Sequence, residues 1–219
     1  MLDPTSPSVR ARNRHAAREA ILDAAERLLG REASAEFSMR ELAAEAGKGF
    51  ATPFNHFGTK GAIMQALSGR VIDRMEAWFR VEAPAGDAVE RTLAMGRIAV
   101  ACLLERPAVY KVVVGSLSVP NPAPSEVRPH SRSLWTLALG DLAGLSVEGF
   151  ERAEVLLADQ IAIAFRGCLS FWVAGEISGD RLPAAVATST ATTLLGFVSP
   201  DRRERLLRAM GLPCRSGSE

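Results

Sequence analysis

The sequence predicts an all-α protein: a small N-terminal three-helix domain, then a long helix leading into a larger helical domain. Three observations carry this prediction. Apolar residues recur at helical spacing along nearly the whole chain, and no segment alternates convincingly at the period of a strand. Near the N-terminus a capping box, Ser38 with Glu41, is followed by glycines at 47 and 58 that punctuate two short helices. The expected organisation is a flexible basic arm at 1–14, the three-helix domain at 15–62, the larger domain at 63–210 and a disordered tail at 211–219.

The first helix is expected from Ala16 to Gly30, where Ile21, Leu22, Ala25, Leu28 and Leu29 form a one-sided stripe. The Ser38 capping box opens a second, with Met39, Leu42, Ala43 and Ala46 on its apolar face, and Gly47 stops it. A third, short helix must include Phe54 and Phe57, three apart on one face, and Gly58 closes it. Pro53 lacks an amide hydrogen, so it fits best if Thr52 is the N-cap and Pro53 the first helical residue. A long helix follows from Thr59, with Ile63, Leu67, Val71, Met75 and Trp78 on one stripe, and ends at the PAG of 84–86. Further helices are expected at about 87–105, 107–117, 130–144, 148–177, 181–197 and 200–210. The segment VYKVVVGSLSV at 109–119 has strand-like propensity, so a strand remains an alternative there.

A chain of 219 residues can bury a substantial core, and its hydrophobic content of 47% argues against general disorder. Cys102, Cys168 and Cys214 are far apart, which gives neither a zinc spacing nor a disulfide framework and suits a reducing cytosol. His15, His56 and His130 have no partners at metal-ligand spacing, so no metal or cofactor is expected. No apolar run of the secretory kind occupies residues 1–20. The longest apolar segment, around 155–175, contains Asp159, Gln160 and Arg166 at depths a membrane span would penalise, so a cytoplasmic protein is expected. The net charge of +1 hides a division. Arg10, Arg12, Arg14 and Arg18 lie in an acid-free stretch, whereas acids outnumber bases over 134–200.

Two short helices joined by a glycine turn, braced by one helix before and one after, form the helix-turn-helix layout, whose second helix enters the major groove of DNA. The apolar stripes leave Lys48, Phe50, Thr52, Asn55 and His56 facing outward, able to meet phosphates or base edges. With Ser38, Arg40 and Lys60 at helix starts and Arg10, Arg12 and Arg14 on the arm, they form the candidate DNA-binding set.

The stretches AILDAAERLL, FSMRELAAEAG and GKGFATPFNHFGTK resemble the TetR-type transcriptional regulators over residues 18–67. His56, Phe57 and Lys60 match that pattern; Phe54 stands where the family usually has tyrosine. Lys48 stands where it usually has a small apolar residue, and either reaches out to a phosphate or marks a loosened turn. The resemblance implies a bacterial repressor acting on an operator in double-stranded DNA, with a small apolar effector of unknown identity held in the helical domain. Candidate pocket residues are Met95, Cys102, Tyr110, Trp135, Phe165 and Trp172, which as aromatic and sulfur side chains would equally suit plain core. It also implies a homodimer through the last two long helices. The helix at 148–177 is apolar on most sides, through Phe150, Leu157, Ile161, Ala164, Phe165, Cys168, Phe171 and Trp172. Leu157, Ala164, Cys168, Phe171, Ala191 and Leu195 are the candidate interface; a central core helix of a monomer is the alternative. No nucleophile elbow, phosphate loop or glycine fingerprint is present, so an enzyme is not expected. A helical protein that docks a protein partner competes with the DNA-binding reading, and the acid-free arginine run argues against it.

Overall fold

The computed structural model describes residues 8–31, 37–118, 125–147 and 151–210. The first half of the expected arm, the tail at 211–219, Phe150 and most of the proline-rich 120–125 link lie outside these residues. Among the described residues the chain forms ten α-helices and no strand: α1 (Val9–Arg31), α2 (Met39–Glu45), α3 (Ala51–Phe57), α4 (Lys60–Glu82), α5 (Ala88–Leu104), α6 (Pro107–Ser116), α7 (Val127–Leu139), α8 (Ala153–Ala174), α9 (Leu182–Leu194) and α10 (Pro200–Ala209). The contacts divide the chain into two bodies, residues 1–68 with 108–123, and residues 69–107 with 124–219.

In the first body α1 begins seven residues earlier than the stripe from Ala16 implies. The Ser8 carbonyl accepts from the Arg12 amide at 3.0 Å, and its hydroxyl accepts from the Ala11 amide at 3.2 Å, which caps the helix. Arg10, Arg12 and Arg14 are therefore helical, not parts of an unstructured arm; arginine is a good helix former and nothing between 9 and 15 breaks the run. Ile21, Leu22, Ala25 and Leu29 of α1 are buried with Leu42 and Ala43 of α2 and Ile63 and Leu67 of α4. At the surface the Glu45 carboxylate ties α2 to α1, accepting from Arg27 Nε and Arg31 Nη1, each at 2.7 Å. The strand alternative at 109–119 gives way to α6, in which Val109, Tyr110, Val113 and Val114 are buried. Pro107 as the first helical residue presets the backbone, and burial at i and i+4 outweighs the β-branched propensity.

The second body packs α5, α7, α8 and α9 against one another. A second capping box opens α5, with Asp87 Oδ1 accepting from the Glu90 amide and the Glu90 carboxylate from the Asp87 amide at 3.0 Å. Helices α5 and α9 approach closely at Gly96, where an added Cβ would lie 3.2 Å from the Val186 side chain. The stripe on α4 continues from Met75 to the buried Phe79, whereas Trp78, expected on it, is 38% exposed. Helix α7 stops at Leu139, earlier than 144, since Gly140 already has a positive φ of 56°. Helix α8 is long and apolar enough to cross a membrane by length and composition alone. It packs instead on α7 and α9, with its Asp159 paired to Arg128 of α7 at 3.5 Å.

Candidate nucleic-acid interface

The turn that aims α3 is built from two local motifs. At the start of α2, Ser38 Oγ accepts from the Glu41 amide at 3.1 Å and Glu41 Oε2 accepts from the Ser38 amide at 2.7 Å, the expected capping box. The Ser38 amide first, then the Ser38 hydroxyl, with a smaller push from the Lys60 charge, hold the Glu41 carboxyl below its usual range. At the far end the Lys48 amide donates to Ala43 O at 2.9 Å and the Gly47 amide to Ala44 O at 3.1 Å, while Gly47 takes a φ of 61°. This is the Schellman pairing, so the turn is tightly closed and Lys48 points into solvent.

Helix α3 starts at Ala51, with Phe50 in the N-cap position and no side-chain cap, so Thr52 is not the cap. Pro53 falls within the first turn, whose amides have no partner inside the helix, and its missing hydrogen is not felt. This start fixes the register. Pro53 is the buried residue of α3, whereas Phe54, expected in the core, is 42% exposed. Phe50 is 61% exposed, and the two rings pack edge to face with centroids 5.6 Å apart. Asn55 is exposed; Thr52, His56 and Phe57 are half-buried.

Around this helix the cations are set by aromatic contacts that sequence reasoning missed. The Arg18 guanidinium stands 4.3 Å from the centre of the Phe57 ring, which joins α1 to the end of α3. Lys60 Nζ stands 4.7 Å from the centre of the Phe37 ring. Arg10, Arg12, Arg14, Ser38 and Arg40 are exposed.

In the second body the pocket candidates Met95, Cys102, Trp135, Phe165 and Trp172 are all buried, with Trp135 and Phe165 edge to face at 5.4 Å. Tyr110 is buried too, but belongs to the first body. Burial pushes the Cys102 thiol up, which keeps it protonated. The Trp135 indole nitrogen is buried and meets no hydrogen-bond partner among the described residues. Of the interface candidates, Leu157, Cys168 and Ala191 are buried within the chain itself and Ala164 and Leu195 are half-buried, because α7 and α9 cover that side of α8. Phe171 is 52% exposed, joined by Leu156 at 53% and Ile163 at 51%, two residues the sequence reading did not select. Their spacing of seven and eight was visible in the sequence; which stripe faces outward was not.

A capped short helix, a tight glycine turn and a following helix that offers uncharged side chains beside an arginine-bearing one define a DNA-binding helix-turn-helix domain. Residues 21–67 match the family model described as bacterial regulatory proteins, tetR family. The helix-turn-helix domain of this chain is thus a tetR-family domain. Among solved structures the chain is similar to a TetR transcriptional regulator from Rhodococcus sp. RHA1, at 22% identity over 82% of this chain and 97% of that one, with a TM-score of 0.69. It is also similar to a protein of unknown function from Rhodococcus sp. RHA1, at 22% identity over 90% of this chain and all of the other, with a TM-score of 0.55. At these identities the likeness shows the fold alone, the all-helical fold that the chain shares with both structures. No curated protein matched the chain.

Proposed function

We propose that the protein is a cytoplasmic, homodimeric repressor that holds a two-fold-symmetric operator and leaves it when a small apolar ligand enters the second body. The observation that carries this reading is the outward display of Lys48, Phe50 and Asn55, with the half-buried Thr52 among them, around the closed turn between α2 and α3. For two heads held rigidly, the half-sites lie about 34 Å apart, or a multiple of that. Lys60 and the α1 arginines meet the DNA backbone, and Asn55 meets a base edge. Dimerisation is supported by the exposed Leu156, Ile163 and Phe171 stripe of α8, and by the small exposed residues Ala184, Ala187 and Thr188 of α9 beside it. A ligand is supported by the Trp135 N–H, a buried donor that a ligand's acceptor would satisfy.

The test is a mobility-shift titration of wild-type, Lys60→Ala and Asn55→Ala proteins on a fragment of the protein's own upstream DNA and on random DNA, at several salt concentrations. Lys60→Ala weakens both and lowers the slope of log affinity against log salt by about 0.9 for one lost phosphate. Asn55→Ala loses discrimination by about 1 to 3 kcal/mol. Equal proportional losses on both DNAs from both variants would mean that α3 is not the reader. For the ligand, hydrophobic compounds are screened by thermal shift and by DNA release; neither effect across a broad set would leave the repressor without a small-molecule trigger.

A further inference from the structure

The outward side of α3 is unusual in what it lacks. Its sequence, ATPFNHF, contains no lysine or arginine, the side chains that read guanine through O6 and N7. It exposes apolar groups instead: Phe50 in the N-cap position at 61% and Phe54 at 42%, with the exposed Ala51 between them in sequence. Asn55 is the exposed residue on the helix that can form two hydrogen bonds to one base. The Phe50 and Phe54 rings fix one another in an edge-to-face pair, so they form a set surface and not two loose side chains.

The major groove carries one apolar group, the C5-methyl of thymine; every other marker on the base edges is a hydrogen-bond donor or acceptor. An aromatic pair pressed against guanine or cytosine edges would strip water from polar groups and return no hydrogen bond. Against thymine methyls it loses only apolar exposure. We infer that Phe50 and Phe54 read thymine methyl groups and that Asn55 pairs with an adenine beside them, so that α3 selects A·T base pairs in the centre of each half-site. This rests on the reading of α3 as the DNA-contacting helix. It goes beyond that reading in naming the base pairs chosen and the side chains that choose them.

Removing the methyl alone tests it. A duplex is first selected by the full-length protein from a random-sequence pool, and each thymine of its half-sites is then replaced singly by deoxyuracil, which keeps every hydrogen-bonding group. Wild-type protein should lose about four-fold in affinity at the thymines under the rings, the factor that corresponds to about 0.8 kcal/mol for one buried methyl group. Phe50→Ala and Phe54→Ala proteins should bind the thymine duplex more weakly and each become indifferent to deoxyuracil at its own position, whereas Asn55→Ala retains the methyl sensitivity. Cytosine and 5-methylcytosine at such a position should differ in the same direction, the methylated base binding better. A selected site at which no deoxyuracil replacement changes affinity overturns the inference and leaves the DNA-binding reading intact. Methyl sensitivity that survives both phenylalanine substitutions also overturns it. A pool that yields no enriched sequence overturns the DNA-binding reading itself, and the inference with it. Both phenylalanines are exposed, so their replacement leaves the core in place, and the deoxyuracil arm with wild-type protein alters only the DNA.

Discussion

Arg10, Arg14 and Arg18 follow one another at four-residue steps along α1 and share a face, the one on which Arg18 reaches the Phe57 ring of α3. Arg12 lies about 160° round the helix from Arg10. The charges are equal, yet their positions relative to α3 are not. Arg14→Ala should weaken binding to selected and random DNA alike and lower the salt slope by about 0.9. Arg12→Ala should leave the slope nearly at its wild-type value. Mobility shifts across a salt series check both, and equal slopes for the two variants would mean that the face of Arg18 is not the one turned to DNA. Residue identity was legible in the sequence and residue orientation only in part. Lys48, Phe50 and Asn55 do face outward, because the capping box sets the start of α2 and Gly47 its end. Phe54 and Pro53 exchange places because the start of α3 is set by backbone geometry at Phe50, for which no side-chain cap gives a signal.

Between elements, the N-terminus of α5 is held to α10 by Arg202, which meets Asp87 at 3.2 Å and the Glu90 carboxylate more closely. Hydrogen bonding to Asp87, and then to Arg202, pulls the Glu90 carboxyl down to about 2, whereas burial pushes Asp87 up. Glu90 therefore adds stability that is fully present above the ordinary glutamate range and drains away as pH falls towards 2. Because its side chain is 43% exposed, solvent screens much of that contribution. Arg202→Met should lower stability by about 1 kcal/mol near neutral pH, and the gap from wild type should narrow as pH falls below the glutamate range. Urea unfolding at several pH values measures it; a gap constant with pH would mean that Arg202 acts through packing alone. The order and rough extent of the helices were legible from periodicity and from glycine and proline punctuation. Their ends were less so. Gly140 and Gly144 both take positive φ, and the sequence offers either as the stop of α7. The start of α1 at Val9 depends on the weak cap of Ser8, ahead of any apolar stripe.

For the whole molecule the decisive surface is the outer stripe of α8. Apolarity on most sides signalled that this helix needed a second cover. It could not say which side the protomer itself supplies, since that depends on how α7 and α9 lie against it. With Leu157 and Cys168 turned inward, Ile163 near the middle of the exposed stripe is the residue to change. Wild-type protein should scatter light as twice 23.4 kDa, and Ile163→Arg as a single chain, with helix content by circular dichroism unchanged because Ile163 is half in solvent. A wild-type protein that remains monomeric at micromolar concentration would remove the basis for reading symmetric DNA. An Ile163→Arg protein that remains dimeric would move the interface off this stripe.

The early start of α1 has a thermodynamic consequence. A basic arm that folds only on DNA loses backbone freedom at the moment of binding, at about 1 to 2 kcal/mol per residue, and signals it by added helicity and a large negative heat-capacity change. Residues 9–15 are already helical in the free chain, so that ordering has been completed during folding. Addition of saturating DNA should thus raise the 222 nm helical signal by less than seven residues' worth. The heat capacity of binding should reflect buried contact surface alone, with affinity governed by salt more than by temperature.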